Sequence, residues 1–118
     1  MKKTNTGTKY KQGEIVLIPF PYDDLTGVKQ RPALILSNTS TGPHHICCMV
    51  TSKPQKEGIL LGPNAFAEGS LPKRSWVRPH KLFTVNAIIV KKKLCSVNRK
   101  LHSAVIECID KHVTWEGK

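Results

Sequence analysis

The stretch FPYDDLTGVKQRPALILSN, residues 20–38, runs from a polar, turn-rich segment through Arg31-Pro32 into an apolar run. Arginine suits a phosphate, because its planar guanidinium keeps its charge at ordinary pH and its forked donors can meet two oxygens at once. Pro32 biases Arg31 toward extended backbone and so fixes the direction in which the guanidinium leaves the chain. A hydroxyl comes near it if the apolar runs flanking NTSTGPH form an antiparallel hairpin symmetric about that loop. Arg31 then faces Thr51 and Ser37 faces His45. Directly opposed residues hold their Cβ atoms about 5 Å apart, near enough for both side chains to engage one phosphate. Plainer roles also fit, a surface arginine at a strand start and a β-branched strand residue, and a slip of one position would part the two.

The elements that must hold them are short. Residues 13–20 (GEIVLIPF) and 32–37 (PALILS) are rich in Val, Ile and Leu between Gly, Pro and Asn punctuation, and read as strands buried on both sides. A third strand is expected over 45–51, after the reversal at Gly42-Pro43, and further strands over 59–61, 76–78 and 87–94. Lys91, Lys92 and Lys93 would guard an exposed edge. After Asn98, a good N-cap, the helical spacing of Leu101, Ala104, Val105, Cys108, Ile109 and His112 predicts an amphipathic helix of about four turns. The expected fold class is α+β, mainly β: a small antiparallel barrel closed by a C-terminal α-helix. A chain of 118 residues at 39% hydrophobic supports one such domain, placed at 13–118 behind a basic tail over 1–12.

The formal net charge of +11 is unevenly spread, with four lysines and no acid in residues 1–12 and seven basic residues with no acid in 69–96. The internal stretch reads as a surface for a polyanion, against the alternative of a solvated face. The N-terminus lacks an apolar signal region and no later run approaches a membrane span, so a soluble, cytoplasmic protein is expected. Cys47, Cys48, Cys95 and Cys108 show no CxxC spacing, which favours reduced, structural thiols. The run His44-His45-Ile46-Cys47-Cys48 invites a metal reading, but alternation sends His45 and Cys47 to one face and His44 and Cys48 to the other, so no metal is expected.

Three segments in order, GEIVLIPFPYDDLTGVKQRPALILS, MVTSK and GSLPKRSWVRPHKLFTVN, resemble the MazF/PemK family of type II toxin–antitoxin endoribonucleases, the likeness running from about Gly13 to Val113. The resemblance implies a CcdB/MazF-type SH3-like barrel, a homodimer, no cofactor, and metal-independent cleavage of single-stranded RNA at short sequence motifs. It implies a cognate acidic antitoxin whose C-terminal segment covers the RNA site, with DNA bound only through the toxin–antitoxin complex. Metal-free cleavage lets the ribose 2′-OH attack the adjacent phosphate, leaving a 2′,3′-cyclic phosphate and a 5′-OH, and needs proton removal, charge stabilisation and protonation of the leaving oxygen.

The resemblance makes Arg31 and Thr51 the catalytic pair, with Ser52, Arg78 and His80 in support and Lys29, Lys53, Lys73, Arg74 and Lys81 as RNA contacts. Charge stabilisation is the role best suited to Arg31, since a guanidinium is a poor general base. His80 departs from the family pattern, in which an acidic residue commonly follows Arg-Pro. An imidazole titrates near neutrality and could act as acid or base, contact RNA only, or do neither. The loop over 21–29, with Asp23, Asp24 and Gly27, would border the substrate groove. Two other classes remain open: a CcdB-like toxin that binds DNA gyrase without cutting RNA, against which the Arg31 and Thr51 pair argues, and a noncatalytic nucleic-acid-binding barrel.

Overall fold

Alternation along the central strands buries apolar side chains on both faces of one sheet. The computed structural model describes residues 10–21 and 28–117. Within them run β1 (Glu14–Pro21), β2 (Val28–Ile35), β3 (His44–Thr51), β4 (Ile59–Leu60), β5 (Phe66–Glu68), β6 (Trp76–Asn86), β7 (Lys92–Val97) and α1 (Arg99–Val113). The strands form one antiparallel half-barrel sheet in the order β4-β6-β3-β2-β1-β7-β5. Ile15, Leu34, Leu36, Cys48, Val50 and Val77 pack on one face under Leu101 and Val105 of α1. Val16, Ile18, Ala33, Ile35, Cys47 and Val85 pack on the other with Tyr10, Ala87 and Val90. A mainly β fold with one C-terminal helix is thus what the chain adopts.

The hairpin about residues 38–44 keeps the expected register, pairing Ala33 with Met49, Leu34 with Cys48 and Ile35 with Cys47. The loop is ordered by a 3-10 turn over Thr39–Thr41, where Asn38 accepts from the Ser40 N–H. Helix α1 starts as expected, with the Asn98 side chain accepting from Leu101 N at 2.9 Å while donating to Asn64 O at 2.7 Å. Of the residues at helical spacing, Leu101 and Val105 are buried and Cys108 and Ile109 half-buried, whereas Ala104 and His112 face solvent.

Four elements differ from expectation. Strand β2 begins at Val28, so Arg31 lies inside a strand paired with Ile18 rather than ahead of one. Strand β6 runs on to Asn86, past Pro79. It can do so because a wide irregularity separates the pairs Cys48 with Leu82 and Met49 with Arg78, leaving Pro79, His80 and Lys81 outside the ladder, where a missing N–H costs no bond. The strand expected over 87–94 is instead a 3-10 turn (Ala87–Ile89) capped by Asn86, then β7. Strand β7 is not an edge strand, since β1 and the unforeseen β5 flank it; Lys93 there bonds Glu68 at 2.6 Å. The edges are two- and three-residue strands, too short to template pairing.

The folded part also reaches further back than Gly13. Tyr10 is buried in the second cluster, and Gln12 donates to Leu36 O at 2.8 Å. The tail over 1–9 and the loop positions Asp23, Asp24 and Gly27 lie outside the described residues.

One polar side chain in the second core lacks a partner. His45 is 2% exposed, meets Tyr10 edge-on at 6.5 Å, and neither ring nitrogen has a hydrogen-bonding partner among the described residues. Burial, opposed by Glu14 and assisted by His44, holds its pKa below the ordinary value, so the ring is neutral in the folded state near neutral pH. Unfolding then takes up a proton as the pH falls below about 6.5, the unfolded value, and stability drops by at most about 1.4 kcal/mol per pH unit. Above that pH the full stability is present. The gap in unfolding free energy between the wild type and His45→Leu, from urea titrations at about pH 7.5 and about pH 5.5, should shift in the variant's favour at the lower pH. An unchanged gap would mean that the buried ring is not held neutral.

Candidate functional site

Register alone assembles a row of side chains across the sheet. Ile18 pairs with Arg31, Thr51 with Trp76 and Trp76 with Leu60, and the β2–β3 register continued by two residues sets Arg31 opposite Thr51. Directly opposed residues share a face, and this face is that of the second core, which the row follows at one end of the sheet. Thr51 is 9% exposed and its Oγ1 accepts from Lys53 N–H at 3.1 Å, fixing the hydroxyl and turning the chain into the loop after β3.

Beside Arg31 lies an open cavity of about 420 Å³. Lys29, Arg31, Lys53 and Lys73 line it with Gln30, Ser52 and Ser75, over a floor of Val50, Leu71 and Leu94, and none of the described residues that line it carries a carboxylate. Its four cations come from β2, the β3–β4 loop and the segment before β6, three pieces of chain that the sheet brings to one end. Ser75, buried, donates to Lys73 O at 2.8 Å and so holds the turn that presents Lys73.

Arg78 and His80 belong to a separate, smaller cavity of about 120 Å³, shared with Gln55, Lys56, Glu57 and Gly58. His80 Nε2 lies 2.9 Å from Glu57 Oε1, and its ring stacks on His112 of α1, centroids 5.2 Å apart. His112 in turn meets Cys108 O through Nδ1 at 2.7 Å. The loop over 52–58 therefore forms a ridge between the two cavities, Ser52 and Lys53 on one side and Lys56 and Glu57 on the other.

Of the ten residues singled out by sequence, five line the larger cavity: Lys29, Arg31, Ser52, Lys53 and Lys73. Thr51 lies beside it in the row, Arg78 and His80 line the smaller cavity, and Arg74 sits over the Trp76 ring at 6.0 Å. Lys81 is exposed in the β6 irregularity and lines neither. Glu57 was missed because nothing in the sequence links it to a histidine 23 residues on. The only cue was compositional, a lone acid in the loop between Lys53 and Gly58. Among the described residues no group of three or more His, Cys, Asp or Glu side chains could hold a metal ion. All four cysteines are free, and burial pushes the Cys47 and Cys48 thiols up to about 12 and Cys95 up to about 11. Among the described residues no helix is long and apolar enough to cross a membrane.

A family model described as PemK-like, MazF-like toxin of type II toxin-antitoxin system matches residues 11–113. Among solved structures, the chain is similar to an endoribonuclease in complex with its cognate antitoxin from a mycobacterial species, at 16% identity and TM-score 0.69, covering 90% of this chain and 98% of that one. It is also similar to MazE–MazF (Form II) from Deinococcus radiodurans, at 16% identity and TM-score 0.71 over 88% and 95% of the chains. A third, an endoribonuclease from a mycobacterial species, gives 14% identity and TM-score 0.70 over 95% and 98%. No curated protein sequence matches significantly.

The ridge depends on Gly58. A Cβ there would lie 2.7 Å from Gln55 Cβ and 3.1 Å from both Trp76 Cβ and Val77 O, none of them the far end of a flexible side chain. Gly58→Ala should therefore push the loop off β6 and lower the unfolding free energy by about 1–3 kcal/mol in urea titrations. A variant as stable as the wild type would show that the loop is not pinned there.

Proposed function

Because the chain belongs to the PemK-like, MazF-like toxin family of type II toxin–antitoxin systems, we propose that it is an endoribonuclease that cuts single-stranded RNA by attack of a ribose 2′-OH on the adjacent phosphate. The observation that carries this reading is the cavity lined by Arg31, Lys29, Lys53 and Lys73, with Thr51 set opposite Arg31 by the β2–β3 register. The similarity to proteins described as endoribonucleases supports it.

In this reading a phosphate seats against Arg31, whose forked donors take two of its oxygens. As the 2′-oxygen bonds to phosphorus, negative charge builds on those oxygens, and a guanidinium already in place stabilises it without reorganisation. Thr51 accepts from Lys53 N–H, which leaves its own O–H to donate to the same phosphate. The lysines hold the flanking phosphates. The 2′-OH proton passes to water in the open cavity, the bond from phosphorus to the 5′-oxygen breaks, and that oxygen takes a proton from water, giving a 2′,3′-cyclic phosphate and a 5′-OH. Positive charge at the reacting phosphate comes from side chains, so the proposed reaction needs no metal ion. Ser52 belongs to the phosphate-contacting set, while Arg78 and His80, in the neighbouring cavity, meet the strand beyond the scissile bond.

The proposal extends to partners. A cognate acidic antitoxin would find the same basic cavity, as the similarity to antitoxin-bound structures supports. A second copy of the chain would cover Ile46 and Leu82, exposed apolar residues on one face of β3 and β6.

Arg31→Ala and Thr51→Ala should fold normally yet lose about 100- to 1000-fold in cleavage of single-stranded RNA, the usual cost of one charge-stabilising donor. Arg31→Lys keeps the charge and removes the fork, so a comparable loss would identify two-pronged phosphate recognition. Binding measured alongside rate separates a transition-state effect from poor substrate retention. Wild-type cleavage should persist in excess EDTA and yield 5′-hydroxyl ends. Near-normal cleavage by a folded Arg31→Ala would overturn the catalytic assignment, and activity lost to EDTA and restored by a divalent ion would overturn the metal-free mechanism.

A further inference from the structure

We propose that Trp76 is a base-stacking platform for single-stranded RNA, set beside the reacting phosphate by the register of β3 and β6; this rests on the reading of the site as an RNA-cleaving one. In the run Lys73-Arg74-Ser75-Trp76-Val77-Arg78 a cation, an aromatic ring and a second cation fall at alternate positions, and Val77 between them is buried in the core under α1. Alternation therefore sends Arg74, Trp76 and Arg78 to the opposite face. That is the face of Thr51, which pairs directly with Trp76, and of Met49, which pairs with Arg78. The ladder between Met49 and Thr51 is regular, the irregularity lying beyond it between Cys48 and Met49.

The ring is half-buried and held from several sides. Arg74 lies over it at 6.0 Å, Leu60 is its partner on β4, and the Gly58 backbone packs against its Cβ. A half-buried tryptophan braced in this way keeps part of its indole surface accessible at little further entropic cost. Proteins that hold single strands combine cations for successive phosphates with aromatic faces on which bases stack, each stack being tolerant of base identity. Here the platform sits one strand from Thr51 and two strands from Arg31. A base adjoining the phosphate at Arg31 would lie on Trp76, and the strand would continue toward Arg78. The platform contributes grip and orientation, while the sequence cut would depend on other contacts.

The chain contains two tryptophans, and the other, Trp115, is 82% exposed near the end of the chain. In Trp115→Phe, emission therefore reports Trp76 alone. Titration with 2′-O-methyl oligonucleotides, which keep bases and phosphates but lack the nucleophile, should quench that emission with both oligo(A) and oligo(U). Inorganic polyphosphate, a polyanion without bases, should bind with little quenching. Trp76→Leu should weaken oligonucleotide binding by about 5- to 150-fold, the range of one lost base stack, and Trp76→Phe should recover most of it. The slope of log affinity against log salt should stay the same in Trp76→Leu, because stacking releases no counterions, and fall by about 0.7 in Arg78→Ala. Emission that does not respond to saturating oligonucleotide, or equal quenching by polyphosphate, would overturn the platform even if Trp76→Leu failed to fold. Wild-type cleavage with an unresponsive Trp76 would reject the platform and keep the endoribonuclease reading. Quenching without cleavage would keep the platform and reject that reading.

Discussion

The register between β2, β3 and β6 is the constraint on which the rest depends. Each of these strands buries residues on both faces, Leu34, Cys48 and Val77 on one and Ala33, Cys47 and Val85 on the other. A slip of one residue would exchange the two sets, moving side chains fitted to α1 into the space around Tyr10 and the reverse. The register of the row of Arg31, Thr51 and Trp76 is thus held by core packing several residues away. Such a scaffold can hold a guanidinium, a hydroxyl and an indole in fixed relation.

A second device shapes the approach to that row. The chain leaves β3 through the Thr51–Lys53 turn and returns to β4 past Gly58, whose missing side chain allows close contact with β6. Seven residues, Ser52 through Gly58, thereby build a wall between two basic hollows. Glu57 at its far end reaches His80, and His80 stacks on His112, so the wall is tied to the last turn of α1. His80 follows Arg78-Pro79, and the loop brings the Glu57 carboxylate to it. Glu57 and Arg78 thus line the same small cavity from different segments of chain.

How much of this was legible follows from how local each signal is. The hairpin register could be deduced because loop symmetry and two-sided burial over 32–37 and 45–51 constrain each other. The helix was legible because Asn98 caps it and its apolar spacing is periodic. By contrast, the extent of β6 was hidden by Pro79, which ordinarily argues against a central strand and is tolerated only because the ladder skips it. The strand expected over 87–94 failed because Ala87, Ile88 and Ile89 have strand composition, while Asn86, accepting from Ile88 N, converts them to a turn. The short β5 had no run of its own and exists through pairing with β7. At the site, the cations were visible as composition. Their division between two cavities was not, since it depends on where a loop crosses the sheet. Trp76 was passed over because its flanking arginines were read as charge alone and not as an alternating stripe.

The same arrangement explains why a basic cavity can be tolerated at all. Lys29, Arg31, Lys53 and Lys73 gather positive charge around one space. The cavity is open, so water screens the charges and the free protein stays folded at modest cost. Any polyanion entering it displaces that water and meets the gathered charge, which makes the site receptive to anions in general. Selectivity must then come from what lies next to the charges: the apolar floor of Val50, Leu71 and Leu94, and the half-buried indole one strand beyond Thr51. An RNA strand offers phosphates and stacking bases at matching intervals, and an acidic peptide offers carboxylates and apolar side chains. Under the proposed function both would be drawn by the same charges to the same floor, so inhibition by an antitoxin would need no second site on this chain.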